Sequence, residues 1–450
     1  MKKDFDILVV GAGPAGIAAA IAAAENGLRV GVVDDSPSPG GQIWRRGTQP
    51  PTAARRWNDR FEAAAVVRMM GWRVIDCLRL SPEGGILRAE CNTPGVQPAD
   101  LHFRHLILAT GARELFLPFP GWTLPNVMGA GGLDAMVRGG LPIEGKRVVI
   151  AGTGPLLLAV AAQLTAHGAS VVAICEQASL AQMAPLALAL LRQPGKLLQG
   201  AKYRWATRKT PFFTRCWPAA ALAEPNPGPG SENEPQPRLQ AVTLHREGKQ
   251  WTVACDYLAC GFHLVPNTEL ASLLGSRIQD GFVVTDQQMR TSIPAVWCAG
   301  EPTGIGGVDA SLLEGRIAGL SAAGKTEAAR ALSKRRPGMQ AFARALERAC
   351  RLDPRLRELA DDQTIVCRCE DVRMAALRGR SGWRDAKLHT RCGMGPCQGR
   401  VCGGAAEFLF GWSAGHAHPP LYPARVSSLM EEAEEEAMAA SSSHPAIEPE

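Results

Sequence analysis

This sequence is short of several things, and each shortage removes a class of function. Across 450 residues, 49 lysines and arginines face 43 acids, a net charge of only +6. So small an imbalance does not argue for nucleic acid, and no nucleic-acid partner is expected. Long uninterrupted apolar runs are also absent. Even the apolar stretch 148–174 is broken by Gly152, Gly154, Gln163 and His167, so no transmembrane segment is expected. Lys2 and Lys3 lead into Asp4, Asp6 and then a strand and glycine loop, without the pattern of a secretory leader. The nine histidines form no motif, and no Ser–His–Asp set or carboxylate pair stands out, which leaves little for hydrolytic chemistry. His263, between Phe262 and Leu264, reads first as a hydrogen-bonded core residue. The thirteen cysteines are odd in number and bunched, unlike a disulfide framework, and suit a reducing compartment. The expectation is a cytoplasmic protein, compatible with peripheral contact at the inner face of a membrane.

What is present has the make-up of a globular protein of two or three domains, 46% apolar and 20% charged. Residues 5–10 form an apolar run of strand length and are followed by Gly11-Ala-Gly13-Pro14-Ala15-Gly16. An alanine-rich helix pattern closes at Asn26-Gly27, and a second strand over 29–33 ends in Asp34. This is the βαβ dinucleotide pattern. Gly11 makes the turn, Gly13 lets backbone approach a pyrophosphate, Gly16 allows helix–strand packing, and Asp34 lies where a ribose hydroxyl needs an acceptor. Strand, helix, second strand and acid together are far more specific than the glycines alone. A second copy starts at residue 147 with Gly152-Thr-Gly154-Pro-Leu-Leu157, and Glu176 ends its next strand. Leu157 stands at the third glycine position, which compromises close helix packing. An adenine nucleotide, NAD(P) or ATP, is nevertheless an expectation at Gly152, Gly154 and Glu176.

The densest chemistry lies in residues 366–402, which hold Cys367-x-Cys369 and then Cys392, Cys397 and Cys402 in a glycine-rich run. In extended backbone the Cys-x-Cys pair would point both sulfurs the same way. Glycines would let N–H groups approach a charged centre, and a helix over 405–410 would add its N-terminal partial charge. Iron–sulfur ligation explains four thiolates best; structural zinc and redox-inert buried thiols are the alternatives. The five sulfurs alone do not say whether Cys392 or Cys402 completes the set.

Further stretches give the nucleotide an identity by resemblance. Leu106-Ile-Leu-Ala-Thr110-Gly111, and Thr291-Ser-Ile-Pro-Ala-Val-Trp-Cys-Ala-Gly300-Glu301, are strands that end in small-residue turns. With the first glycine loop they resemble the two-dinucleotide-domain flavoprotein reductases, which implies FAD. By that resemblance Gly300 and Glu301 approach its ribityl and pyrophosphate part, although Asp is commoner than Glu at 301. Gly40-Gly41-Gln42 resembles the loop beneath the isoalloxazine; its plain reading is a turn. The Cys-x-x-Cys or Cys-x4-Cys pair of the disulfide-relay members is absent beside these loops, which disfavours thioredoxin- or glutathione-reductase chemistry. The cysteine stretch resembles the [2Fe-2S] domain first known from bacterioferritin-associated ferredoxin. That likeness implies Cys367, Cys369, Cys397 and Cys402 as ligands, with Cys392 spare or in place of Cys402.

Taken together, Gly11–Gly16, Gly40-Gly-Gln-Ile-Trp44, Gly152-Thr-Gly-Pro-Leu-Leu157, Val366-Cys-Arg-Cys-Glu370 and Arg391-Cys-Gly-Met-Gly-Pro-Cys-Gln-Gly-Arg400 resemble the FAD-binding α (A) subunits of heteromeric amino-acid-type dehydrogenases. These are the opine oxidases, D-hydroxyproline and dye-linked proline dehydrogenases, and hydrogen cyanide synthase. The resemblance implies an α/β fold with two Rossmann-like domains, no redox disulfide and a small C-terminal [2Fe-2S] domain. It also implies a glycine-oxidase-like flavoprotein partner that oxidises the C–N bond of an amino acid or amine, and a one-electron acceptor. A stand-alone NAD(P)H reductase and a non-catalytic iron–sulfur scaffold are the competing readings. The expected boundaries are 1–140 and 263–325 for the two parts of the FAD domain, 141–262 for the second dinucleotide domain, 326–360 for a helical linker, 361–415 for the cysteine domain and 416–450 for a flexible acidic tail. Residues 197–215 interleave cations with aromatics and read as a solvated or subunit-docking face, and 224–237 as a flexible insertion.

Overall fold

A computed structural model describes residues 2–44, 52–191, 193–223, 237–413, 415 and 417–429. The expected insertion at 224–237, its last residue apart, and the acidic run 431–436 lie outside the described residues. The apolar run at the start becomes the strand Lys2–Val10, central in a sheet whose parallel core runs Val66–Met70, Val30–Asp34, Lys2–Val10, Ala99–Leu108 and Val296–Cys298. A strand buried on both faces reads as continuous apolar sequence, which is why Ile7, Leu8 and Val9 are fully buried. An antiparallel pair, Trp72–Ser81 and Gly84–Cys91, extends the sheet beside Ala99–Leu108. The strand Val296–Cys298 brings a distant part of the chain into this sheet, and the helix Val308–Ala322 then crosses Pro14–Ala24. Small residues permit that crossing at backbone distance: a Cβ on Gly315 would fall 2.1 Å from the Ala15 carbonyl oxygen.

The second sheet is parallel throughout, in the order Phe212–Thr214, Ser170–Glu176, Arg147–Gly152, Tyr257–Gly261, Val127–Gly129. Its edge strand Val127–Gly129 lies before residue 141, so this unit takes in chain that was expected in the first domain. One face packs against the helices Ala130–Arg138 and Pro155–Ala166. The other packs against an antiparallel three-stranded sheet, through Trp217, Val242 and Leu244. Leu157 is fully buried in the helical layer. The short strands Ala112–Glu114 and Leu264–Pro266 pair and carry the chain between the two halves.

Two expectations are corrected. The 326–360 segment packs on both sides: helix Arg336–Ala349 lies on helix Leu180–Leu191 through Phe342 and Ala349, and Leu356 enters the core of the second unit. The tail also does not leave the protein at 416. Residues 417–429 lie on the first sheet, where Leu421 is buried, its N–H bonds the Ile75 carbonyl at 2.8 Å, and Arg425 pairs with Glu90. Apolar contact and a half-buried ion pair hold what composition alone marked as free chain.

Candidate functional site

The strand ends of the first sheet open onto a cavity of about 1250 Å³. Gly11, Gly13, Pro14, Ala15, Asp34, Gly41, Gln42, Thr110, Gly111 and Glu301 all line it, although they come from five separated stretches of sequence. Gly16 is buried in the helix behind the loop, and Gly300 stands behind Glu301 with its N–H bonded to Glu314. Gly13 and Gly41 meet backbone to backbone, so a Cβ on Gly41 would lie 2.9 Å from the Gly13 Cα. A side chain there would fill the cradle in which backbone must approach a ligand. Asp34 accepts the Ala12 N–H at 2.5 Å and the Ser36 N–H at 2.8 Å, tying the glycine loop to the second strand. Burial raises its pKa, against the pull of those two donors.

Glu301, like Arg73, Asp134 and Arg138 on the same wall, has a buried polar atom without a hydrogen-bond partner. One carboxyl oxygen accepts the Gly307 N–H at 3.1 Å, while Oε2 is buried with no partner. Burial pushes its pKa up to about 7. Glu301 with its unpartnered oxygen on the wall, and the backbone cradle at Gly13 and Gly41 that a Cβ would fill, fit FAD. At the inner end Glu114 accepts the Gly131 and Gly132 N–H groups at 2.7 and 3.0 Å, at the start of helix Ala130–Arg138. His263 is not on the cavity wall; burial lowers its pKa, and among the described residues its ring has no hydrogen-bond partner, against the expectation of a hydrogen-bonded core histidine.

The cysteine segment meets the wall of this cavity at Arg113. Strand Ile365–Cys367 ends at Cys367, and the chain turns at once, so the Cys-x-Cys pair is not extended through both residues. Cys367 is buried and Cys369 exposed, which corrects the expectation that the two sulfurs point the same way. The sulfurs of Cys367, Cys392 and Cys402 lie within 4.8 Å of one another. Cys369 is within hydrogen-bonding reach of Cys397. Hydrogen bonds from Cys392 and Cys402, with one from the Gly393 N–H at 3.5 Å, draw the Cys367 thiol down to about 2, while its partner Cys392 is pushed up to about 12. Five thiols so arranged, beside the start of helix Cys402–Phe410, fit a thiolate-bound centre.

Arg400, the last residue of the cysteine motif, and three residues that sequence reasoning gave no role, Arg113, Asn267 and Tyr422, join the two sites. Arg113 lines the cavity and donates to the Arg400 carbonyl at 3.0 Å, inside the cysteine segment, and to Asn267 Oδ1 at 2.7 Å. Arg400 sits 3.8 Å from the centre of the Tyr422 ring and donates to the Leu421 carbonyl. Tyr422 is itself on the cavity wall. An isolated arginine such as Arg113 and a tail tyrosine carry no motif, so only their meeting with Arg400 in space reveals them.

The second glycine loop is different. Glu176 accepts the Gly154 N–H at 2.7 Å and the Ala178 N–H at 2.9 Å, and is 2% exposed. In front of it lies residue 350: a Cβ on Gly154 would fall 2.6 Å from Cys350 Sγ. Gln177 and Gln182, on the rim, donate to the Arg351 carbonyl at 3.1 and 2.7 Å, and Gln177 accepts the Asp353 N–H at 2.9 Å. Residues 349–353 therefore stand where a pyrophosphate and ribose would lie, and Gly152, Gly154 and Glu176 line no part of the cavity. As placed, these residues do not fit a bound nucleotide.

Fold and cavity thus define an FAD-dependent oxidoreductase of two Rossmann-like domains, with no disulfide among the described cysteines and a thiol cluster near the C-terminus. Residues 5–192 match the pyridine nucleotide-disulphide oxidoreductase family. Hydrogen cyanide synthase subunit HcnB of Pseudomonas aeruginosa is 32% identical over 430 residues, covering 88% of this chain and 90% of that protein. The A subunit of the opine oxidase of Rhizobium meliloti is likewise 32% identical, covering 89% and 90%. Among solved structures, L-proline dehydrogenase from P. horikoshii superposes with a TM-score of 0.63 at 16% identity, over 95% of this chain and 80% of that one, and shares the fold. The chain belongs to the family of the hydrogen cyanide synthase HcnB and opine oxidase A subunits, flavin oxidoreductase components of heteromeric enzymes. Among the described residues no helix is long and apolar enough to cross a membrane.

Proposed function

We propose that this chain is the electron-relay subunit of a heteromeric dehydrogenase that oxidises the C–N bond of an amino acid or secondary amine, of the hydroxyproline/proline, opine or glycine class. The C–N chemistry would reside on a second, glycine-oxidase-like flavoprotein, and this subunit would pass electrons to a one-electron acceptor in the cytoplasm. FAD, held by the cavity residues named above, supplies two-electron acceptance, and a [2Fe-2S] centre supplies one-electron transfer. The observation that carries the reading is Arg113, which touches both the flavin cavity and the backbone of the cysteine segment. Such adjacency suits electron transfer between two bound groups and has no role in an isolated scaffold.

A [2Fe-2S] centre would take four thiolates. Cys367, Cys369, Cys397 and Cys402 would hold it, with Cys392 as the competitor for Cys402; the nearness of Cys369 to Cys397 and of Cys367 to Cys402 supports that set. The filled second loop supports the relay over a stand-alone NAD(P)H reductase, because residues 349–353 stand where the nicotinamide nucleotide would bind. Purification of the tagged protein from its native cells, with iron analysis and spectra, tests the proposal. A stoichiometric second flavoprotein and a centre reducible by substrate are expected. A lone flavoprotein bleached rapidly by NADH would overturn it.

A further inference from the structure

The helices Leu180–Leu191 and Pro194–Ala206 form a hairpin turned inside out. On the first, the polar Gln182 points inward, donating to the Ala349 and Arg351 carbonyls, and Leu186 packs against helix Arg336–Ala349. The residues facing solvent are Leu180, Ala181, Ala184, Pro185, Ala187, Leu188 and Leu191, with no polar side chain among them. On the second helix Leu197, Leu198, Ala201 and Trp205 make an exposed stripe, and no residue of this helix is buried. Leu180, Leu188, Leu191, Leu198 and Trp205 are 65–73% exposed. A soluble helix places its polar residues outward, so a contiguous apolar face of this kind marks a contact.

The charge of the same segment says what it contacts. From residue 177 to residue 223 the sequence has no Asp or Glu, yet it holds Arg192, Lys196, Lys202, Arg204, Arg208, Lys209 and Arg215. The remainder of the chain balances bases and acids to within one charge. Lys202 and Arg204 are exposed and flank the Leu197–Trp205 stripe, and among the described residues neither has a carboxylate partner. A protein partner is specified by charges of both signs around an apolar centre. Leucine, alanine and tryptophan rimmed by cations of one sign instead match a plane of acyl chains beneath anionic headgroups.

We propose that the hairpin 180–206 docks this chain on an anionic lipid bilayer, lying in the interface with its exposed leucines and Trp205 inserted and Lys202 and Arg204 on the headgroups. The proposal rests on this surface alone and stands or falls independently of the relay reading. Each cation near such a surface contributes about a fivefold gain in partitioning.

The test is co-sedimentation of the full-length protein, carrying its bound groups, with phosphatidylcholine vesicles made with and without phosphatidylglycerol. Binding to the anionic vesicles, weakened by salt, is expected. The K202E/R204E variant should lose about 25-fold or more of that binding, and L188S/L191S should lose it at low salt as well. These four side chains are exposed, so flavin content should be unchanged in both variants, and K249E on a separate strand should bind as the parent does. Binding that ignores lipid charge, or that survives in both hairpin variants, would overturn the proposal. So would a parent protein that ignores vesicles while the variants lose a co-purifying protein, which would give this face to a protein partner instead.

Discussion

The turn that presents Glu301 to the cavity depends on one buried ion pair. Glu314 Oε1 accepts Arg336 Nε at 2.9 Å, with both side chains 9% exposed. Its other oxygen accepts the Gly300 N–H at 3.1 Å and the Thr303 hydroxyl at 2.7 Å. Arg336 spends its remaining donors on the Asp286 carbonyl and the Thr285 hydroxyl, each at 2.9 Å. Replacing Glu314 with Ala strands a guanidinium and two further donors in a water-poor interior. Breaking a buried pair from one side costs about 3–5 kcal/mol, and the lost donors are part of that figure because neighbouring losses do not add. Glu314→Gln keeps an acceptor for Gly300 and should cost roughly 1–3 kcal/mol. Replacing both members with apolar residues, Glu314→Leu with Arg336→Met, should restore much of the folding stability. It leaves the Gly300 N–H without its acceptor, however, so flavin affinity should stay low. Urea unfolding of the purified protein would report the first quantity, and flavin fluorescence on dilution the second. An E314A protein within about 1 kcal/mol of the parent, with the same flavin affinity, would refute the reasoning.

The remaining expectations concern the wall, the thiols and the junction. Glu301, raised by burial to about 7 from an ordinary 4.5, keeps its proton in the folded protein after the unfolded chain has lost it. Flavin-free protein should therefore lose roughly 3 kcal/mol of stability as pH rises between those two values. E301Q should flatten that slope; an unchanged pH profile would show that Glu301 is not the group. Cys367→Ser or Cys369→Ser should abolish the visible absorption of the iron–sulfur centre and leave FAD bound, and loss of both groups would contradict two separable sites. Cys392→Ser should be mild beside Cys402→Ser, and iron loss in the first would exchange their roles. Arg113→Ala should loosen the cysteine segment by about 1–3 kcal/mol and slow reduction of the centre more than reduction of the flavin in rapid-mixing experiments. Equal effects on the two steps would deny Arg113 its place at the junction.

Much of the first site is local, and for that reason it was legible in the sequence. Strand, Gly11–Gly16, helix and Asp34 are neighbours along the chain whose backbone requirements fix the residue types, and the repeat at Gly152 declared the second unit in the same way. The cysteines announced a centre by number and spacing alone. Local pattern also misled. Gly152, Gly154 and Glu176 carry the signature of a nucleotide loop, yet the chain returns nearly two hundred residues later to set Cys350 against Gly154. No spacing rule forecasts that, because it depends on how helix Arg336–Ala349 packs on Leu180–Leu191.

The sequence by itself determined the kind of protein: two dinucleotide folds, an acid at the end of each second strand, and five thiols in one segment. These follow from short-range geometry, in which each residue type answers a constraint set by its near neighbours. The tertiary structure alone decided which glycine loop faces a cavity, which sulfurs lie together, and that Arg113 and Arg400 bridge flavin site and cysteine segment. It also turned the apolar face of 180–191 outward. Those outcomes come from packing between distant elements, where burial of one surface settles what another can reach.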